Sequence, residues 1–159
     1  MKIKLFVMDV DGTLTDGHIY YGDNGEMFKA FHVRDGYAIA HIFPKYGIVP
    51  VIITGKSSQI VANRARELKI TEVYQGISDK ISKLTEIADK YGVTSAEIAY
   101  IGDDVNDLDC IAHCGLTACP ADALDEVIPK VDYVCRNNGG RGAVREFADY
   151  VIRKFFTEQ

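Results

Sequence analysis

Long apolar runs and positive charge are what this chain of 159 residues has least of. No apolar stretch approaches the roughly 18 residues that suggest a transmembrane helix, and the run Leu5–Met8 is too short for the core of a signal peptide. Acidic residues outnumber basic ones by 23 to 18, so the formal net charge is -5 at pH 7. This balance argues against broad binding to nucleic acid or to an anionic membrane. We therefore expect a cytoplasmic protein that binds neither.

Several sequence patterns are also absent. The four cysteines form no Cys-x-x-Cys pair, which favours buried free thiols over a zinc site. Neither a Walker sequence nor a dinucleotide-binding glycine fingerprint occurs, so nucleotide binding is not supported. Internal repeats, low-complexity tracts and Pro/Ser-rich linkers are missing as well. We expect one domain over residues 1–159, large enough to bury roughly two-thirds of the surface of the unfolded chain.

Short apolar, β-branched stretches alternate along the chain with segments of helical periodicity. We predict strands over residues 3–8, 48–53, 72–74, 98–101 and 133–134, and helices over 36–45, 57–68, 79–91, 106–113 and 143–155. This alternation is typical of βαβ units. It predicts an α/β fold of three layers, a Rossmann-like parallel sheet with helices on both faces.

One segment, over about 17–33, interrupts the alternation. Two stretches rich in aromatic residues, 18–22 and 26–31, flank Asp23-Asn24-Gly25, which predicts a β-hairpin flap. An isolated hairpin is only marginally stable in water. Its aromatic side chains therefore either pack on their own domain or are buried against another subunit.

Two carboxylates, Asp9 and Asp11, stand where the first apolar run meets a glycine turn. Residues two apart in a strand point to the same side, and α/β sheets bind ligands beyond the carboxyl ends of their strands. Because Asp-Gly is also ordinary turn chemistry, the pair gains weight only if other strand ends supply partners.

Two later strand ends supply groups that suit a phosphate. Thr54 and Gly55 precede a helix, where a hydroxyl and backbone N–H groups could cradle a phosphate. The alternative is that Thr54 or a nearby serine merely caps that helix. Lys80 lies in the first turn of another helix, where the helix dipole disfavours a lysine. A phosphate would hold it there, and an ordinary surface lysine is the alternative.

A second acidic cluster, Asp103 and Asp104, follows the fourth predicted strand. Like charges about 4 Å apart repel by roughly 4 kcal/mol at an effective dielectric constant near 20. Carboxylates that converge on one crevice therefore need a cation. Oxygen ligands with few protein donors favour Mg²⁺.

Taken in order, these residues resemble the four motifs of the haloacid dehalogenase superfamily, in which most members are magnesium-dependent phosphohydrolases. The resemblance covers nearly the whole chain, although each motif alone is weak. It implies that Asp9 is the nucleophile that forms an aspartyl-phosphate. Asp11 would protonate the leaving alcohol and then deprotonate the attacking water. The phosphoryl oxygens would be bound by Thr54, Gly55 and Lys80.

The same resemblance implies a magnesium site. The ion would be held by Asp9, by the backbone carbonyl of Asp11 and by Asp103. Asp104 and Asp107 would lie behind these ligands and support them.

Two other activities are less compatible with this order of motifs. Dehalogenases of the superfamily resemble the pattern without a counterpart of Asp11, because halide displacement needs no general acid for an alkoxide. A non-catalytic phosphoacceptor of the receiver type has its paired acids after the first strand and its phosphorylated aspartate after the third. Here the paired acids follow the fourth strand, so a phosphatase is favoured.

The intervals between the motifs leave no room for the cap domain of larger members. Further segments resemble the 3-deoxy-D-manno-octulosonate 8-phosphate phosphatases of Gram-negative lipopolysaccharide synthesis, namely residues 16–17, 31–37, 53–56, 75–76 and 139–146. That resemblance implies this sugar phosphate as the substrate, a cytoplasmic location and an uncapped homotetramer joined through the hairpin. A neighbouring subunit would then cover the site.

A related branch, which acts on 2-keto-3-deoxynononate 9-phosphate, is the alternative. It tends to carry an acid after the Thr-Gly pair and a lysine near the end of the next helix, whereas this chain has Lys56 and Glu67 there. Lys56 and Arg64 would suit a substrate carboxylate, although Arg64 could equally lie on a solvated helix face. Arg34 and Arg141 are further candidates, and the glycine-rich stretch 139–142 could be a simple turn.

Overall fold

The structure is a computed structural model and describes residues 2–157. Its strands are β1 (Leu5–Met8), β2 (Tyr20–Gly22), β3 (Gly25–Phe28), β4 (Val49–Ile53), β5 (Glu72–Tyr74), β6 (Ile98–Ile101), β7 (Leu116–Cys119) and β8 (Tyr133–Val134). Its α-helices are α1 (Val33–Tyr37), α2 (Phe43–Tyr46), α3 (Gln59–Glu67), α4 (Lys80–Tyr91), α5 (Leu108–His113) and α6 (Ala143–Phe155). None of the helices within residues 2–157 has the length and apolarity that crossing a membrane demands.

Six of the strands form a parallel sheet in the order β5-β4-β1-β6-β7-β8. The chain builds outward from β1 in both directions, so the strand order reverses at β1, and such a switch point opens a crevice at the carboxyl ends of the strands. Met8 pairs with Ile52 on one side and Ile101 on the other. The three central strands therefore end side by side at this crevice.

Alternate residues of β1 pack into two separate cores. Phe6 and Met8 belong to a cluster with side chains of α3 and α6, whereas Leu5 and Val7 pack with side chains of α4 and α5. All four residues of β1 are buried. The predicted α/β fold, with helices on both faces of a parallel sheet, is confirmed. No cap domain occurs between residues 2 and 157.

Strand β7 was not predicted. Its sequence, Leu-Thr-Ala-Cys, is short and shows neither alternation nor a β-branched run. It is nevertheless fully buried between β6 and β8. Pairing with its neighbours, rather than local propensity, makes this segment a strand.

The first predicted helix, over 36–45, is longer than expected and contains an irregular turn. Helix α1 begins at Val33 because the His32 side chain caps it by accepting the N–H of Arg34. A π-helical turn, Ala38–Ile42, then joins α1 to α2. Gly47, in the left-handed conformation with φ 66°, ends α2.

The predicted hairpin is confirmed and lies apart from the large sheet. Strands β2 and β3 pair antiparallel, with Tyr20 opposite Phe28 and their rings stacked 4.4 Å apart. Four large apolar side chains of the hairpin remain exposed, namely Ile19, Tyr21, Met27 and Phe28. Packing within the chain therefore covers only part of its apolar surface.

Candidate active site

The predicted site residues follow the strands that end at the crevice. Asp9 directly follows β1, Thr54 directly follows β4, and Asp103 comes two residues after β6. Lys80 is the first residue of α4, which enters the same edge of the sheet after β5. Asp9, Thr54 and Lys80 are each at most 5% exposed. Polar groups buried to this extent need partners, and Lys80 and Asp9 are paired with each other at 3.1 Å.

Lys80 bridges two carboxylates. Its Nζ atom lies 3.1 Å from Asp9 Oδ1 and 2.9 Å from Asp107 Oδ1. Burial alone would lower the pKa of the ammonium group, but the charges of Asp9 and Asp107 outweigh it and raise the pKa above its ordinary value. Lys80 is therefore a fixed positive charge, which explains why a lysine occupies the first turn of α4.

Carboxylate oxygens of Asp9, Asp103 and Asp107 lie within 4.8 Å of one another. Burial raises the pKa of Asp9, and repulsion by Asp107 raises it further. Burial likewise raises the pKa of Asp103, to which repulsion by Asp9 adds. Both shifts have the same origin, since carboxylates lie close together at a site that water reaches poorly, and Lys80 contacts only Asp9 and Asp107 among them.

This cluster fits Mg²⁺. Asp9 and Asp103 offer oxygen atoms, the ligands that Mg²⁺ prefers, whereas both Asp107 oxygens already accept hydrogen bonds. A divalent cation would relieve the repulsion that Lys80 leaves uncompensated. Thr13 Oγ1 donates to Asp103 Oδ1 at 3.1 Å and fixes that carboxylate. At Gly12, with φ 88°, a Cβ atom would overlap the Asp103 carboxylate. Only glycine lets the two acidic loops approach this closely.

Asp107 serves this site as an anchor. Its Oδ1 accepts hydrogen bonds from Lys80 and from the hydroxyl of Tyr100, and its Oδ2 accepts the backbone N–H groups of Asp103 (3.0 Å) and Asp104 (3.2 Å). Four donors occupy the two oxygens, so this carboxylate holds the loop after β6 in place. The Asp104 carboxylate caps the following turn by accepting the N–H of Val105.

Asp11 is held by a residue that the sequence did not single out. Lys29 Nζ, from the end of the hairpin, donates to Asp11 Oδ1 at 2.7 Å and also contacts Glu26 at 3.0 Å. The Lys29 side chain is 2% exposed. The available signal was a lysine between Phe28 and Phe31 in an otherwise apolar segment.

Thr54 is fixed by its own backbone. Its N–H donates to the Tyr74 carbonyl at 3.0 Å, and its carbonyl accepts the N–H of Ile77 at 3.1 Å. Helix α3 begins five residues later, at Gln59, with Ser58 as its N-cap. Thr54 is therefore not the cap of that helix, whereas the nearby serine of the alternative, Ser58, is. A Cβ atom at Gly55 would approach nothing closer than 3.7 Å, so this stretch of backbone is open to a ligand.

Lys56 and Arg64 lie on the hairpin side of the crevice. Lys56 pairs with Glu26 at 3.1 Å. Arg64 pairs with Glu67 at 2.9 Å, its guanidinium lies over the Phe31 ring, and its side chain is 22% exposed. It is therefore partly buried rather than fully solvated. Arg64 and Lys29 line one open groove of about 400 Å³. Arg64 therefore lies in the same groove as Lys29, the residue that holds Asp11.

Arg34 and Arg141 occupy a different place. Both line a cavity of about 380 Å³ at the start of α6, together with three further arginines, Arg136, Arg145 and Arg153. Asp9, Asp11, Thr54, Lys80 and Asp103 do not line this cavity. Within residues 2–157, neither Arg34 nor Arg141 forms a hydrogen bond or ion pair with Asp9, Asp11 or Asp103.

Comparison with known proteins agrees with this geometry. A family model described as haloacid dehalogenase-like hydrolase matches residues 52–147. The 3-deoxy-D-manno-octulosonate 8-phosphate phosphatase KdsC of Escherichia coli (strain K12) is 44% identical over 151 residues, which cover 95% of this chain and 80% of that protein.

Solved structures give the same result. A crystal structure of the 3-deoxy-D-manno-octulosonate 8-phosphate phosphatase from Yersinia pestis superimposes with a TM-score of 0.92 at 44% identity, covering 95% of this chain and 81% of that one. The Moraxella catarrhalis phosphatase, in complex with a magnesium ion, a phosphate ion and a KDO molecule, gives a TM-score of 0.92 at 39% identity, with coverages of 96% and 87%.

Proposed function

Because the chain belongs to the haloacid dehalogenase-like hydrolases, we propose that it hydrolyses 3-deoxy-D-manno-octulosonate 8-phosphate to 3-deoxy-D-manno-octulosonate and phosphate, with Mg²⁺ as cofactor. The cluster of buried Asp9 and Lys80 with the half-buried Asp103 carries the proposal. It combines a nucleophile, a fixed ammonium group and a cation site at one edge of the sheet. Phosphoryl transfer needs this combination of positioning and charge.

In the first step, a carboxylate oxygen of Asp9 attacks phosphorus. A bond forms between that oxygen and phosphorus, the ester P–O bond breaks, and Asp11 gives its proton to the departing sugar oxygen. Lys80 already lies 3.1 Å from Asp9, so it needs little movement to neutralise charge on the transferring group. The bound Mg²⁺, held by Asp9, Asp103 and the Asp11 carbonyl, would supply further positive charge to the phosphoryl oxygens.

In the second step, Asp11 takes a proton from a water molecule. The water oxygen bonds to phosphorus, the bond to Asp9 breaks, and inorganic phosphate leaves. The contact of Lys29 with Asp11 at 2.7 Å fixes the carboxylate that must serve in both steps. The Thr54 hydroxyl and the N–H of Gly55 would hold the phosphoryl oxygens.

The positive groups beside the hairpin would bind the carboxylate of the sugar. Lys56 and Arg64 are our candidates, and Arg64 shares its groove with Lys29. The nine-carbon analogue, 2-keto-3-deoxynononate 9-phosphate, is the alternative substrate. We favour the eight-carbon ester because Lys56 and Glu67 have the opposite charges to those typical of the nine-carbon branch.

We also propose that the protein is a cytoplasmic homo-oligomer, a tetramer joined through the hairpin. Arg34 and Arg141 remain candidates for substrate contact only in such an assembly, where this surface could face the site of a neighbouring copy. The exposed apolar side chains Tyr21, Met27 and Phe28 support the hairpin as the interface.

The test is phosphate release from the eight-carbon and nine-carbon esters, measured side by side with Mg²⁺ and after its removal by a chelator. We expect magnesium-dependent turnover with higher kcat/KM for the eight-carbon ester. Asp9→Asn should lower kcat by about 10³-fold or more, because it removes the nucleophile.

Asp89→Asn is the matched control. Asp89 is exposed on α4 and lies outside the site, so its variant should keep wild-type activity. Full turnover by Asp9→Asn would contradict the covalent mechanism, and preference for the nine-carbon ester would contradict the assigned substrate.

A further inference from the structure

Tyr100 presents a polar group inside the sheet. It lies in β6, is fully buried, and packs in the core that contains Leu5 and Val7. Its hydroxyl donates to Asp107 Oδ1 at 2.5 Å. A buried tyrosine hydroxyl normally finds a partner, but this partner is the carboxylate that also holds Lys80. The side chain therefore links the apolar core to the charged site.

Every lone-pair position of the Asp107 carboxylate accepts a hydrogen bond. Tyr100 and Lys80 share Oδ1, while two backbone N–H groups of the loop after β6 share Oδ2. Gly102 lets the loop wrap around this carboxylate, because a Cβ atom there would overlap it. Hydrogen bonds to a charged acceptor are stronger than neutral ones. The four hydrogen bonds together therefore restrict the position of the Asp107 carboxylate.

The shared oxygen sets the position of Lys80. Its ammonium group lies between Asp107, at 2.9 Å, and Asp9, at 3.1 Å. The Tyr100 hydroxyl satisfies part of the charge on Oδ1, which weakens the pull of Asp107 on Lys80. Without that hydroxyl, Asp107 would draw Lys80 toward itself or rotate, and either movement takes the ammonium group away from Asp9.

We propose that Tyr100 is a positioning residue that acts through Asp107 to keep Lys80 beside Asp9 and the phosphoryl group. This inference rests on the proposed phosphatase function. Tyr100 itself touches neither Asp9 nor Lys80 by any hydrogen bond of residues 2–157. Its contribution therefore passes through the Asp107 carboxylate.

The variant is Tyr100→Phe, which keeps the ring and removes only the hydroxyl. We expect kcat to fall about tenfold, and the dissociation constant for inorganic phosphate, measured by calorimetry without substrate, to rise about tenfold. Tyr133→Phe is the matched control. It removes a tyrosine hydroxyl that donates to the Glu146 carboxylate at 2.7 Å, away from the site, and it should change both quantities less than twofold.

A double-mutant cycle tests the route through Asp107. If the hydroxyl acts on Asp107, then adding Tyr100→Phe to Asp107→Asn should lower kcat by less than a further twofold. A full further tenfold loss in that background would overturn the proposed route. Equal effects of Tyr100→Phe and Tyr133→Phe on kcat and on phosphate binding would overturn the positioning role.

Failure of the proposed function gives a different result. If the wild type releases no phosphate from either sugar ester, the function is wrong, and calorimetry with inorganic phosphate still compares Tyr100→Phe with Tyr133→Phe. If the wild type is active and Tyr100→Phe equals it in kcat and phosphate affinity, only the inference about Tyr100 fails. Thermal unfolding of each variant identifies any loss that is due to unfolded protein.

Discussion

At two positions, the absence of a side chain on glycine determines how closely the acidic groups approach one another. Gly12 lies against the Asp103 carboxylate, and Gly102 lies against the Asp107 carboxylate. At both positions the glycine backbone contacts a charged side chain, and a methyl group would not fit between them. The positions of the Asp103 and Asp107 carboxylates therefore depend on two uncharged residues, Gly12 and Gly102.

The variant Gly102→Ala tests this dependence. Because its Cβ atom would overlap Asp107, we expect the Asp107 carboxylate to move and kcat to fall at least about tenfold. Overpacking of this kind typically costs about 1–3 kcal/mol of stability. Phosphate release and thermal unfolding measure the two effects.

Gly47→Ala provides the comparison. Gly47 has φ 66° and open space around a Cβ atom, so alanine there carries backbone strain of about 1–2 kcal/mol without touching the site. It should lose stability and retain wild-type kcat. Equal kcat values for Gly102→Ala and Gly47→Ala would show that the contact with Asp107 is unimportant.

Single residues also show which parts of the site could be predicted from the sequence. Asp9, Thr54 and Asp103 could be placed at strand ends because each follows an apolar run, and Lys80 could be placed at the start of the helix after the third predicted strand. The parallel sheet brings these positions together. Lys29 could not be placed, because its partner Asp11 is reached only after the hairpin folds back over the crevice. A contact of that kind is not encoded in local periodicity.

At the scale of elements, the hairpin is tied to the crevice by Glu26. Its carboxylate contacts Lys29 at 3.0 Å and Lys56 at 3.1 Å, and it accepts the Ser58 hydroxyl at 2.7 Å. Burial alone would raise its pKa, but these three donors lower the pKa of Glu26 to about 2. Glu26 is therefore ionised near neutral pH and links β3 to the loop before α3.

This link gives Lys56 two separable roles, direct contact with the substrate carboxylate or support of the hairpin. We expect Lys56→Met to raise KM for the eight-carbon ester about tenfold, the change that about 1.4 kcal/mol produces, because a positive charge facing the carboxylate is lost. Glu26→Gln keeps the Lys56 charge and should raise KM less than Lys56→Met does. Steady-state kinetics of both variants provide the measurement.

Lys45→Met removes an exposed lysine at the end of α2 and serves as the control with unchanged KM. A KM for Lys56→Met equal to that of Lys45→Met would remove Lys56 from substrate binding. If Glu26→Gln raises KM as much as Lys56→Met, Lys56 acts by holding the hairpin.

Element types were more predictable than element limits. Helices α4 and α6 and strands β5, β6 and β8 agree with the sequence periodicity to within a residue. The π-helical turn Ala38–Ile42 and the strand β7 have no local signal of their own. Both form because they pack against neighbouring elements, and hydrophobic periodicity and residue propensity carry no information about those neighbours.

At the scale of the whole molecule, an open site and an exposed apolar hairpin occur in the same chain. The short intervals between the motifs predicted the missing cap, and the structure has no cap within residues 2–157. What covers the crevice could not be read from one chain, because subunit contacts depend on a second copy. The exposed side chains Tyr21, at 72%, and Met27, at 65%, supply the apolar surface that such a contact would bury.

The variant Tyr21→Lys tests whether this surface joins subunits. Light scattering after size exclusion should give about four times the subunit mass for the wild type and a smaller mass for the variant, because a lysine ammonium is costly to bury in an apolar contact. Activity per subunit should fall with the mass, since the neighbour no longer covers the site. Val134→Lys places the same charge at an exposed apolar position of β8 and should leave the mass unchanged. A wild type that is monomeric at micromolar concentration and fully active would show that one chain closes its own site, and the apolar face of the hairpin would then need another explanation.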